Sequence, residues 1–193
     1  MAVFHHLLTV LAFLLLVSHA RSTTSYKPPP TTYTNFIKKS CSTTTYASLC
    51  TKTLTPYAAK VKTNALQLCK TALSVSIIST RNCSTTVSKL ATRKDITRVE
   101  SRAVKNCIGD LKDAVYQLKQ TVDAMGHLKD SDREFQWANA KTYASAAITD
   151  AETCIDQFLE RKVNGVVKNK IKGCVYGVER HISNALSLIN HLY

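Results

Sequence analysis

Residues 137–158 read "WANAKTYASAAITDAETCIDQF", with Trp137, Ala140, Ala144, Ala147, Ala151, Cys154 and Phe158 separated by alternating steps of three and four. That spacing puts all seven on one face of an α-helix, which turns once every 3.6 residues or so. A half-buried strand needs alternation by two, and none runs through this stretch. Just upstream, Ser131-Asp132-Arg133-Glu134 has the spacing of a capping box, so the helix is expected to begin there.

Working outward, the same seam recurs. Val104, Cys107, Leu111, Ala114, Leu118, Val122 and Met125 keep it for three heptads up to Gly126, a suitable residue just past a helix end. Val167, Ile171, Cys174, Val178, Ile182, Ala185, Ile189 and Leu192 carry it in the last segment, whose first turns Gly165 and Gly173 weaken. Val61, Ala65, Leu68, Ala72 and Val75 carry it in a segment expected to run from about Pro56 to Leu90. The stretch "SVSIIST" in that segment has strand propensity but no strand to pair with, and is read as helix. All four prolines lie at or before Pro56, so nothing downstream forces a break. Four narrow-seamed helices with short connections predict an all-α, up-and-down antiparallel four-helix bundle over residues 56–192.

Ahead of the bundle, "FIKKSCSTTTYASLC" puts Cys41 and Cys50 on either side of a Ser/Thr-rich turn. This predicts a short helical hairpin over residues 35–55. Residues 21–34, with three consecutive prolines, are expected to be a disordered leader. Residues 1–20 have an apolar run from Leu7 to Val17 followed by Ser18-His19-Ala20, the pattern of a secretory signal peptide. The run is shorter than the roughly 18 apolar residues that span a bilayer, and no later stretch is apolar enough, so no membrane span is expected. The domain is read as residues 35–193, extracellular.

Seven cysteines in a secreted chain imply disulfides with one thiol left over. Cys41 and Cys50 close an easy local loop. Cys107 and Cys154 lie on the seams of two consecutive helices, and their midpoint falls in the connection "GHLKDS". Residues equidistant from the turn of an antiparallel hairpin lie side by side, so these two are expected to bond. Cys69 and Cys83 sit about 21 Å apart on one helix if it is continuous, and can pair only if it breaks near Thr80. Cys174 is expected to be a buried free thiol. Cys154 itself lies among acids on an apolar stripe, a poor setting for a nucleophile. No CxxC or His-rich spacing suggests a metal, and no cofactor is implied.

The formal charge of +13 is unevenly spread. Up to Lys94 there are twelve Lys or Arg and no acid; residues 95–160 hold eight basic and twelve acidic residues; from Arg161 on there are six basic residues and one acid. An acidic block inside a basic chain suits a charged protein partner or an anionic matrix polymer. It does not suit nucleic acid, which favours a basic stripe interleaved with aromatics. His127, His181 and His191 come with no serine elbow, zinc motif or phosphate loop, so no catalytic residue is assigned. The acids Asp110, Asp113, Asp150 and Glu152 are read as exposed on amphipathic helices. Asn82-Cys83-Ser84 is an N-glycosylation sequon, making Asn82 a candidate glycan site.

Four patches, "FIKKSCSTTTYASLC", "AVKNCIGDLKDAVYQL", "SAAITDAETCIDQF" and "ISNALSLINHL", resemble in order and spacing the plant family of invertase and pectin methylesterase inhibitors. The resemblance covers residues 35–193. It implies a hairpin closed by Cys41 and Cys50, a four-helix bundle with a bond between Cys107 and Cys154, and an unpaired cysteine at Cys174. Gly109 and Leu111 stand where Glu and Tyr are common in the family, and Ala47 where Pro is common. The resemblance further implies a one-to-one protein inhibitor that covers the substrate cleft of pectin methylesterase. On that basis Asp113, Thr153 and Asp156 would face the enzyme. Inhibition of invertase is the alternative within the family, disfavoured because no proline follows Pro56 for the Pro-Lys-Phe element some invertase inhibitors use. A further alternative is a basic helical protein in weak electrostatic contact with pectin or a membrane surface.

Overall fold

The computed structural model describes residues 30–159 and 163–193; residues 1–20, read as a signal peptide, and residues 21–29 of the expected leader lie outside the described residues. In chain order the elements are α1 (Thr31–Cys41), α2 (Ala47–Leu54), a 3-10 turn (Thr55–Tyr57), α3 (Ala58–Val61), α4 (Ala65–Ala91), α5 (Arg98–Ala124), α6 (Arg133–Leu159) and α7 (Gly165–Asn190). No strand occurs among the described residues. The four long helices have 27, 27, 27 and 26 residues, each about 40 Å long at 1.5 Å per residue. They form a closed square: α4 packs on α5, α5 on α6, α6 on α7, and α7 back on α4.

The core follows the three-four seams. Cys107, Leu111, Ala114 and Leu118 of α5 are fully buried, as are Ala140, Ala144, Ala147, Ala151, Cys154 and Phe158 of α6. With four alanines on its seam, α6 brings little side-chain bulk to the contact, so α5 can approach closely. The Cα atoms of Cys107 and Cys154 are 4.3 Å apart across their disulfide.

Local chemistry explains where helices start and stop, and in several places it differs from the sequence reading. α1 begins at Thr31, inside the stretch expected to be leader. Pro30 costs no helical donor there, its carbonyl accepts from Tyr33 N at 2.9 Å, and Thr34 Oγ1 donates to Thr31 O at 2.9 Å. The long helix expected from Pro56 instead starts at Ala65. Lys62 takes a left-handed φ of 54°, which ends α3, and Asn64 restarts the chain by accepting Gln67 N at 2.8 Å. Gly126 stands just past the end of α5, as read, and does so without a left-handed φ, which no glycine adopts. Its role is steric, because a Cβ there would lie 2.8 Å from Asp123 O. α6 starts where expected, but with Asp132 Oδ2 accepting from Gln136 Nε2 at 2.7 Å. The reciprocal capping box stands at α5 instead, where Thr97 and Glu100 exchange bonds of 2.7 and 3.2 Å. Glu100 is buried, and its other oxygen accepts Asn164 N at 2.6 Å. These backbone donors hold its carboxyl below the usual range and tie the start of α5 to the start of α7.

The N-terminal hairpin of α1 and α2 is closed by Cys41–Cys50. It is pinned to the bundle by one buried side chain: Asn184 of α7 accepts Tyr46 N at 2.9 Å and donates to Tyr46 O at 3.0 Å. Five residues further along α7, Trp137 Nε1 donates to Ile189 O at 2.9 Å and fastens α6 to the end of α7.

One cysteine assignment is corrected. Cys174 is bonded to Cys83, with Cα atoms 5.5 Å apart, and the free cysteine is Cys69. α4 is unbroken, so Cys69 and Cys83 do not pair. Closing the square sets α4 beside α7 and brings Cys83 against Cys174, a juxtaposition that positions along the chain do not announce. Cys69 is buried, and burial pushes its thiol up to about 12, which leaves it protonated and unreactive.

Candidate functional site

The surface above the Cys107–Cys154 bond carries the acidic block. Asp113 on α5 and Thr153 and Asp156 on α6 are all exposed. Because the two helices run antiparallel in a register set by the disulfide, Asp113 and Asp156 lie about 12 Å apart along the bundle axis, a little over two helical turns. Thr153 falls between them. Asp113 neighbours Asp110 and Asp150 at the α5–α6 seam, Asp156 lies towards Glu179 of α7, and no hydrogen bond joins the three, an arrangement that suits docking more than catalysis. Among the described residues no group of His, Cys, Asp and Glu could hold a metal ion.

The exposed ridge of α6 is built from hydroxyl side chains folded back on their own helix. Thr142, Ser145 and Thr153 donate to the carbonyls of Ala138, Lys141 and Thr149 at 2.9 to 3.0 Å. With their protons engaged, these hydroxyls form a low ridge that offers acceptors outward.

Carboxylates flank the ridge on both sides. Towards α5, Asp110 and Asp150 are half-buried rather than exposed, and Asp110 Oδ2 accepts Gln157 Nε2 at 2.7 Å. Burial first, then the charges of Asp113 and Asp150, push Asp110 up to about 6. Burial and Asp113 likewise raise Asp150. Towards α7, Glu179 is pushed up to about 7 by burial and then by Glu152 and Asp156, against the pull of Arg180. One buried oxygen of Asp150 and one of Glu179 have no hydrogen-bond donor, which is the environment that favours the neutral acid. Tyr116, one turn beyond Asp113 on α5, is 59% exposed and adds an aromatic surface at the edge.

Gln157, Glu179 and Tyr116 were not singled out from the sequence. Glu179 had left a signal, since it is the lone acid after Arg161. Asn82 is exposed on α4, and the middle residue of its sequon is the disulfide-bonded Cys83.

Comparison with known proteins agrees with this architecture. The model of the plant invertase/pectin methylesterase inhibitor family matches residues 35–188. Pectinesterase inhibitor 11 of Arabidopsis thaliana is 37% identical over 187 residues, covering 92% of this chain and 93% of that protein. Pectinesterase inhibitor 9 of the same plant is 38% identical over 189 residues, covering 94% and 92%. Among solved structures, mutant form A of a pectin methylesterase inhibitor from Arabidopsis has the same fold, with a TM-score of 0.59 at 22% identity, covering 79% of this chain and 94% of that one. Architecture, matched span and relatives agree: the chain belongs to the plant invertase/pectin methylesterase inhibitor family.

Proposed function

We propose that the protein is a secreted inhibitor of pectin methylesterase, binding one-to-one through the α5–α6 face so that pectin cannot enter the enzyme's cleft. It acts by occupancy and performs no chemistry of its own. The observation that carries this reading is the exposed acidic and hydroxyl face held rigid over a disulfide. Asp113 and Asp156 would meet basic groups at the cleft rim, steering approach and fixing register. Tyr116 and the ridge beside it would supply the desolvated contact that holds the complex. An extracellular location fits the cysteine usage and the leader, and the described helices include none long and apolar enough to cross a membrane. In that compartment Asn82 would be available to a glycan.

The test is to titrate the purified, oxidised protein into pectin methylesterase and acid invertase assays side by side. Esterase activity should fall in proportion to added protein and end at equivalence, with invertase unaffected. Invertase inhibition with the esterase untouched would move the protein to the other branch of its family.

A further inference from the structure

The side of α5 turned away from the acidic face borders a different surface. Twelve Lys or Arg precede Asp95, two of them (Arg21 and Lys27) ahead of the described residues, so ten stand between Pro30 and Lys94 with no acid. α4 brings part of this charge against α5. Between the two helices runs a groove of about 430 Å³, lined by Arg81, Ser84 and Thr85 of α4 and by Leu111, Lys112 and Lys119 of α5. Arg81, Thr85, Lys112 and Lys119 are exposed. The ion pairs among the described residues are Arg93–Asp95 and His127–Asp130, so no carboxylate pairs with the three cations of the groove. Like charges around a concave surface with no counter-charge focus a positive potential into it.

The arrangement is elongated. Lys112 and Lys119 are seven residues apart, about 10 Å along α5, with Arg81 across from them. A track of that length suits a repeating anion better than a single phosphate. Its other groups suit a sugar. Thr85 Oγ1 donates to Arg81 O at 3.0 Å, which leaves its lone pairs free to accept from sugar hydroxyls, and the half-buried Val115, also on the groove lining, offers an apolar patch for the C–H face of a ring. Asp113 is the next residue after Lys112, and the 100° turn between successive helical residues sends the two side chains to different flanks of α5. Groove and acidic face can therefore be occupied together.

We propose that the α4–α5 groove binds a linear polyuronate, an extended polysaccharide with a carboxylate on each repeating unit. Arg81, Lys112 and Lys119 pair with carboxylates, and Ser84 and Thr85 bond ring hydroxyls. A protein held in this way is retained on the de-esterified polymer. The groove does not depend on the esterase reading and would operate if the protein inhibited invertase.

The test is titration of the oxidised protein with polygalacturonate and with fully methyl-esterified pectin, at low and at physiological salt. The wild-type protein should bind the acid polymer more tightly at low salt and the ester weakly. Arg81→Gln with Lys112→Gln and Lys119→Gln should lose about tenfold or more in affinity for polygalacturonate, while Lys38→Gln with Lys52→Gln and Lys60→Gln, removing the same charge elsewhere, loses less than about threefold. Equal losses would mean diffuse attraction and overturn the proposal, as would equal binding of acid and ester polymers or no binding at all. Esterase inhibition, read on a soluble substrate, should survive in the groove variant; its loss would assign the groove to the docking surface and overturn the proposal. If the triple variant melts early, Lys119→Gln alone should still weaken polymer binding measurably, and no change would count against the groove.

Discussion

α5 and α6 follow one another in the chain and are joined by Cys107–Cys154, across a separation of 47 residues. α4 and α7 are the first and last long helices and are joined by Cys83–Cys174, across 91. The two bonds staple opposite sides of the square and leave the α4–α5 and α6–α7 seams without a covalent link. The pairs also differ in charge. α5–α6 carries the acidic ridge, while α4 has no acid and α7 has only Glu179. The consecutive pair presents the proposed docking face; the non-consecutive pair closes the bundle and, through Asn184, holds the N-terminal hairpin. A rigid surface and a closed fold are thus secured by separate covalent bonds.

The sharpest way to break the comparison is to remove one staple at a time. On the chain-entropy account, Cys83→Ser with Cys174→Ser should cost about 4.5 kcal/mol and Cys107→Ser with Cys154→Ser about 4 kcal/mol, because the longer loop gains more disorder when freed. Urea unfolding of the two variants gives the order. A larger loss for the shorter loop would mean that packing strain around the bonds dominates. Next in size, Asn184→Ala should cost about 1 to 3 kcal/mol, since it leaves Tyr46 N without an acceptor and takes one of two donors from Tyr46 O, which keeps Cys50 N. The loss should appear in limited proteolysis as early release of α1 and α2, with the four long helices still folded.

Smaller still is the effect of pH. Asp110 and Glu179 have carboxyls raised to about 6 and about 7. A carboxyl raised on folding keeps its proton in the folded chain after the unfolded chain has lost it. Its stabilising contribution is therefore complete below the ordinary carboxylate range and is lost as pH climbs through 6 and 7. Asp110→Asn with Glu179→Gln should raise the melting temperature at pH 8 and leave it nearly unchanged at pH 4. A uniform shift at both values would show that the two acids are solvated alike in both states. Without any energetic change at all, thiol titration of the unreduced, denatured protein should find one thiol per chain, that of Cys69, and none before denaturation. Three thiols would mean that Cys83 and Cys174 are unbonded.

What was legible in the sequence follows the same division. Cys107 and Cys154 could be matched because they belong to adjacent seams equidistant from a short turn, so chain position alone implies proximity. Cys83 and Cys174 have no shared turn. Their contact exists only once four helices close into a square, and the sequence reading therefore left Cys174 unpaired. Helix existence was readable from the three-four seams. Helix starts were less so, because Asn64 and Thr97 act through side-chain bonds to the next turn, while attention to Ser131 and Glu134 pointed to a box that Asp132 and Gln136 replace. Asp110 and Asp150 looked exposed because they lie off the apolar stripe; the close approach of α5 and α6 shelters them. Glu179 becomes part of the face only because α7 packs beside α6.

The central claim, that the stapled α5–α6 face is the inhibitory surface, is tested most directly by charge reversal within it. Asp113→Lys with Asp156→Lys should lower inhibition of pectin methylesterase by about a hundredfold or more, equivalent to roughly 2.7 kcal/mol of binding, with the helical circular dichroism and melting of the wild-type protein. Undiminished inhibition by that well-folded variant would contradict the claim and send the docking surface to another side of the bundle.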